Sequence, residues 1–257
     1  MTSTLRNPIA CRPSSYGEFA EGALEHIASV GLRHVEIMVP PADAIAETRD
    51  RLARLGLSAS SMHGTCDLSR PDVAQQVADQ MPALAALGCP IMFVSAKRGD
   101  LPAETAYERL RQAGDVAAAQ GVTIVLETHP DLITNADVAL ETMRGVEHPH
   151  VRVNFDTANI YFYNRDVDGV AELRKIAPYV AAVHLKDTDG GYRHWHFPAL
   201  GEGIVDFAGV FAVLDEAGFR GPCTLEIEGI EGETATRALV EGRIAASVAY
   251  LRSLGRL

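Results

Sequence analysis

Positive charge is scarce in this sequence. Lysine and arginine number 23 against 34 aspartates and glutamates, for a net charge of −11. That balance opposes the positive footprint needed by a generic nucleic-acid or anionic-membrane surface, while leaving room for a local basic pocket. Long apolar runs are missing too, and nothing approaches the roughly 20 residues that span a bilayer. The cysteines Cys11, Cys66, Cys89 and Cys223 lie far apart, with no CxxC and no closely spaced Cys/His set. This fits a reduced, cytosolic protein and not a disulfide framework. The stretch MTSTLRNPIACRP lacks the apolar core of a signal peptide. Linkers, charge blocks and low-complexity segments are absent as well. A cytoplasmic protein with a small-molecule partner is expected, with neither nucleic acid nor membrane as partner.

What is present is a recurring unit: an Ala/Leu-rich amphipathic helix, a glycine that stops it, then a short apolar strand. The phrases "SVGLRHVEIM", "RLGLSASSMHG", "ALGCPIMFVS", "AQGVTIVLETH" and "EAGFRGPCTLEIE" repeat it. Glycine is favoured there because it adopts left-handed dihedrals at a helix C-terminus. Two more strands, "HVRVNFD" and "YVAAVHLKD", follow helices that stop near Pro149 and Pro178. With a first strand around Leu5–Cys11, about eight strands alternate with helices. Alternation with no antiparallel hairpin signal implies parallel strands and right-handed crossovers. Over 257 residues this predicts one (β/α)8 TIM barrel across 1–257, long enough to bury a sizeable core. The runner-up, a doubly wound open sheet, calls for a glycine-rich phosphate turn after the first strand, and "CRPSSYGEF" is a poor one.

In a barrel strand one face packs on the helices and is apolar, so the other points inward. In the fifth strand Val122, Ile124 and Leu126 face out, which turns Glu127 inward. In the sixth, Val151, Val153 and Phe155 face out and Arg152, Asn154 and Asp156 face in. In the seventh, Ala181, Val183 and Leu185 face out and His184 faces in; in the last, Cys223, Leu225 and Ile227 face out and Glu226 faces in. Four adjacent strands thus each place one ionisable group inward at the C-terminal end, where barrel active sites are built. Converging carboxylates are costly without a cation. Lys186 or an arginine is one source of it; a divalent metal is the other. Three carboxylates and an imidazole suit Mn²⁺, Mg²⁺ or Co²⁺ better than Zn²⁺.

These phrases, with "LETHPDLITN", "VNFDTANIYFYN", "VHLKDTDGG", "ALGEGIVDFAGVFAVLDEAGFRGP" and "LEIEG", resemble the xylose-isomerase-like barrel superfamily over nearly the whole chain. That superfamily includes sugar-phosphate isomerases and epimerases, ketose 3-epimerases, inosose and dehydroshikimate dehydratases, and AP endonucleases. The resemblance implies one divalent metal held by Glu127, Asp156, His184 and Glu226, with Glu228 the fallback if the register differs by two. It implies that Glu127 and Glu226 exchange a proton with the substrate on opposite faces, and that the protein is a homo-oligomer. His63 resembles a substrate-side histidine of the superfamily. The chain departs from the pattern at Asn159, where many relatives have histidine. It departs again after Glu127, where free-ketose epimerases carry an acidic residue and this chain offers His129 and Asp131.

Other substrate-side candidates come from the residues themselves. Glu36 faces inward on the second strand, and Lys186 shares the parity of His184. The loop "DTDGGYRHWHFPALGEG" is long for a strand-to-helix connection, and its Arg193 and Trp195 offer a cation and an aromatic face to a sugar. The expected activity is a metal-dependent isomerase or epimerase of a sugar or keto-sugar, acting through an enediolate. A dehydratase (lyase) of a keto-polyol such as an inosose or dehydroshikimate is the alternative. An AP-endonuclease-like nuclease is more remote, as is a non-catalytic sugar-binding barrel.

Overall fold

Short apolar strands preceded by amphipathic helices bury both faces when the sheet closes on itself inside a ring of helices. In the computed structural model, which describes residues 7–257, the chain does this. Eight parallel strands form a closed barrel: β1 (Ile9–Cys11), β2 (His34–Met38), β3 (Ser58–His63), β4 (Ile91–Val94), β5 (Thr123–Glu127), β6 (Val151–Asp156), β7 (Val180–Leu185) and β9 (Cys223–Leu225). The helices between and after them are α1 (Ala23–Ser29), α2 (Ile45–Arg54), α3 (Val73–Ala78), α4 (Met81–Leu87), α5 (Ala103–Ala118), α6 (Ala136–Val146), α7 (Asn159–Phe162), α8 (Gly169–Ile176), α9 (Phe207–Glu216) and α10 (Arg237–Ser253). None of the described helices is long and apolar enough to cross a membrane. The expected first strand is seen from Ile9 onward; Leu5 and Arg6 lie outside the described residues.

The glycines expected to stop helices do so. Gly31, Gly56, Gly88, Gly121 and Gly218 all have φ between 63° and 92°, a region that side chains with a Cβ rarely occupy. The other two stops differ: α6 ends on Glu147 at φ 46°, two residues before Pro149, and α8 runs into a 3-10 turn over Ala177–Tyr179 that contains Pro178. The larger core lies between strands and helices. A smaller cluster of Ile91, Phe93, Val125 and Ala182 fills the inside of the barrel below the charged groups.

Besides a register shift between β2 and β3, where Val35 pairs with Ala59 but Glu36 with Ser61, two local features depart from the simple alternation. Across β6 and β7, Val153 pairs with Val180 but Asn154 pairs with Ala182. Ala181 is therefore an extra residue, and it packs on the interior cluster instead of facing the helices. The shift is complete before His184, whose inward parity is unchanged. The second feature is an antiparallel ladder, β8 (His196–Phe197) with β10 (Gly229–Ile230), at the barrel mouth. Alternation alone predicts only parallel strands. With two residues on each side, this ladder is too short to leave a period in the sequence.

The long connection after β7 is held from within by Asp187, which is fully buried. Its Oδ1 accepts from the amides of Thr188 (2.9 Å) and Val205 (3.1 Å), and its Oδ2 from those of Gly201 (2.8 Å) and Gly203 (2.9 Å). Gly203 allows the approach, since a Cβ there would lie 2.2 Å from the Thr188 carbonyl oxygen. Replacing Asp187 with Ala leaves four amides without their shared acceptor. Hydrogen bonds to a charged group contribute about 1.5–3 kcal/mol each and are not additive, so Asp187→Ala is expected to lower stability by about 3 kcal/mol. Urea unfolding measures this, and unchanged stability would show that the loop is anchored elsewhere.

Candidate active site

Parallel pairing brings the inward carboxylates and imidazole to one level. Asp156 pairs with His184, and His184 with Thr224, so Glu226 takes the next inward position after Thr224. Glu127 ends β5 and pairs with Asn154. Glu127, Asp156, His184 and Glu226 are all buried, and each offers a donor atom within 4.8 Å of the others.

The surroundings fix each group. Asp156 Oδ1 accepts from the amides of Ala158 and Asn159, both at 2.8 Å, which leaves Oδ2 without a hydrogen bond. His184 Nε2 faces Glu36 at 3.1 Å, so Nδ1 is the nitrogen turned to the other three side chains. Nδ1 lies 2.7 Å from Glu226 Oε2, but neither atom has a hydrogen-bond partner. Glu226 Oε1 is paired with Arg12, and Glu127 Oε2 accepts from Ser95.

These positions distort the proton affinities. Burial pushes the Asp156 carboxyl up, to about 8, against the pull of Lys186. Burial also opposes a charged His184, but Glu36 and Glu226 outweigh it and raise that imidazole well above its ordinary range. Burial works against ionised Glu226 too, yet Lys186, His184 and Arg12 hold it well below the usual carboxylate range. Asp156 Oδ2, His184 Nδ1 and Glu226 Oε2 therefore form a close, orphaned donor set in an excess of negative charge. Such a set fits a divalent metal ion.

A cavity of about 270 Å³ opens above this set, walled in part by Asn159, Phe162, Tyr163, Lys186, Trp195 and Phe197. Lys186 is buried, ion-paired with Glu228 and 3.3 Å from Asn159 Oδ1. Glu228 thus lies in the outer wall, outside the clustered donors. Trp195 is 41% exposed and stands edge-on to Phe162 and Phe197. His63 lies against Phe93 at 4.7 Å and lines a neighbouring groove of about 410 Å³ together with Arg12 and Glu36.

Not every sequence candidate reaches the cavity as a substrate contact. Glu36 is committed to His184, to Arg12 at 3.3 Å and to Ser61 at 2.7 Å. Its place is behind the imidazole. Arg193 is exposed, and a positive φ of 54° turns it out to lie over the Tyr192 ring; it is absent from the cavity wall. Asp131 accepts from the amides of Arg98 (2.9 Å) and Gly99 (2.8 Å) and braces a loop. His129, by contrast, joins the wall, with Nδ1 3.1 Å from Glu127. Residue parity does not reveal Arg12, Ser95 or Phe93. Arg12 follows the first strand in a segment with no alternation, and Ser95 lies just beyond β4.

Residues 24–254 match the model of the family described as xylose isomerase-like TIM barrel. The chain belongs to this family. Within it, 137 residues are 29% identical to an L-ribulose-5-phosphate 3-epimerase of Salmonella paratyphi C, over 52% of this chain and 46% of that protein. A stretch of the same length is 27% identical to an inosose dehydratase of Erwinia tasmaniensis, over 47% of this chain and 46% of that protein. The chain spans about half the length of the curated relatives it matches. A solved xylose isomerase domain protein from Planctomyces limnophilus superposes with a TM-score of 0.78 at 21% identity, covering 97% of both chains. Relatives in this family are enzymes, both epimerases and a dehydratase.

Arg12 neutralises Glu36 and Glu226 together from a nearly buried position. Removing one partner of a buried ion pair typically costs about 3–5 kcal/mol. Arg12→Met is therefore expected to destabilise the metal-free protein by about that amount in denaturant unfolding. A loss below about 1 kcal/mol would place Arg12 among exposed pairs of little consequence.

Proposed function

We propose that this chain is a divalent-metal-dependent isomerase or epimerase of a sugar or keto-sugar, with Glu127 and Glu226 as its acid and base. The observation that carries the reading is the placement of these two carboxylates. They reach one buried donor set from β5 and from the end of β9, each with one oxygen held by a neighbour, Ser95 or Arg12. Mn²⁺ suits the donor set best, and Mg²⁺ or Co²⁺ fit the same oxygen-rich chemistry. Held by Glu127, Asp156, His184 and Glu226, such an ion would lend Lewis acidity that eases removal of a proton beside a ketone.

The chain's own groups do the rest. One glutamate takes the proton from its face of the substrate, and the other returns a proton to the opposite face. Asp156, fixed by two amides, anchors and has no proton role. Glu36 keeps His184 Nδ1 turned inward. Lys186, which its carboxylate neighbours keep charged against burial, stands ready for a substrate oxygen beside Asn159. Trp195 and Phe197 offer an apolar wall to the C–H face of a sugar, and His63 lines the neighbouring groove beside Arg12 and Glu36. Arg193 is left out of this set.

The second reading, a dehydratase, draws on the inosose dehydratase relative. The same proton removal would be followed by loss of a β-hydroxyl as water. Incubation in D₂O with ketoses, keto-glycosides and inososes distinguishes the two by mass and NMR. Deuterium at the carbon beside the carbonyl with an unchanged formula is expected; deuteration with loss of water would shift the assignment to the dehydratase. No exchange in protein shown to hold metal would overturn both.

Chelation is expected to abolish turnover and added Mn²⁺ to restore it. Glu127→Gln and Glu226→Gln are each expected to lower kcat by about a hundredfold or more, the usual span of general acid–base catalysis. Wild-type turnover in either variant would remove that glutamate from the mechanism.

A further inference from the structure

The connection between β7 and α9 carries a second set of metal-binding side chains, separate from the barrel interior. Asp189, His194 and His196 each offer one donor atom, and these lie within 4.8 Å of one another. The backbone holds the three in place. The Gly191 amide donates to Asp189 Oδ1 at 2.9 Å, His194 N donates to the Gly191 carbonyl at 3.1 Å, and His196 is fixed in the β8–β10 ladder opposite Ile230. Asp189 Oδ2 already meets His194 Nδ1 at 2.6 Å, and the two imidazoles stack with centroids 5.7 Å apart.

A tight turn centred on Trp195, closed by the His196 amide donating to the His194 carbonyl at 2.9 Å, brings the two imidazoles together on the side away from the cavity. Trp195 and Phe197 form the inner pair, which lines the cavity. The inner pair is the apolar wall of the cavity, with Lys186 Nζ 4.2 Å from the Phe197 ring centroid and 5.9 Å from that of Trp195. Anything that ties His194 and His196 to Asp189 also fixes the residue between the two histidines, Trp195.

We propose that Asp189, His194 and His196 form a surface site for a borderline divalent cation such as Zn²⁺, which clamps the loop carrying the Trp195 wall. Two imidazoles and one carboxylate are the nitrogen-rich set that Zn²⁺ favours over Mn²⁺ or Mg²⁺, and three protein ligands leave a fourth position for water. The two sites of the chain are therefore of different chemical preference. Oxygen donors predominate inside the barrel, and nitrogen donors predominate on the loop. The loop site stands independently of the enzymatic reading.

The chain has one tryptophan, so its emission reports on this loop. Protein stripped with EDTA is titrated with Zn²⁺ by calorimetry while Trp195 fluorescence is followed, comparing wild type, the double variant His194→Ala/His196→Ala, and Asp156→Asn. Both histidines lie on the surface side of the loop, and circular dichroism confirms that the double variant folds. The double variant is expected to bind one ion per chain fewer than wild type and to lose the component of the Trp195 response that Asp156→Asn retains. If the double variant binds as many Zn²⁺ ions as wild type, with the same fluorescence response, the site does not exist and Asp189–His194 is only a hydrogen-bonded pair. If wild type binds a single ion that the double variant loses, the loop site stands and the barrel-metal reading falls instead.

Discussion

An excess of buried negative charge governs the upper half of this barrel. Glu36, Glu127, Asp156 and Glu226 are buried and Glu228 stands at the exposed rim, while among the described residues Arg12 and Lys186 are the permanent cations paired with them. A buried ion without compensation costs several kcal/mol. Much of the polar detail nearby answers that cost: the hydroxyls of Ser61 and Ser95, the amides at the start of α7, and the contact of Glu36 with His184. Three atoms at the centre of the group nevertheless stay without a hydrogen-bond partner. Hydrogen donors from the protein crowd the rim of the cluster and leave its middle to a cation.

The arrangement also separates two kinds of work. The groups that hold position lie on or directly beside barrel strands, and their partners are backbone amides or buried side chains. The groups that would meet the rest of a substrate lie on the connection after β7, on α7 and just past β9. Both an epimerase and a dehydratase stand among the relatives. In this chain Lys186, Asn159 and Trp195 stand in the cavity wall.

The four clustered donors were legible because strand parity is a local property. One apolar face names the other, and β5, β6, β7 and β9 all obey the rule at their C-terminal ends. Parity failed at Ala181, where a register shift inserts a residue without any mark in the sequence. It was also silent on the partners. Arg12 and Glu226 are 214 positions apart and Ser95 and Glu127 are 32 apart, and nothing periodic links either pair. Arg193 was read from residue type alone, and its positive φ and its place over the Tyr192 ring are not written in the sequence. Glu36 was read correctly as inward, but only the folded ring puts it behind an imidazole 148 positions away. Asp187 carries no mark of its role in the sequence, since an acceptor for four amides is visible only once the loop has curled around it.

The pairing of Arg12 with Glu226 has a consequence for how the protein comes into being. β1 hydrogen-bonds to β9, so the ring closes through the same two segments that bring this ion pair together. During translation Glu127, Asp156 and His184 leave the ribosome well before Glu226, and the nascent chain has no complete donor set to offer a passing ion. Closing so long a loop costs entropy that only the finished ring repays. The four clustered side chains therefore come together in one step, with closure.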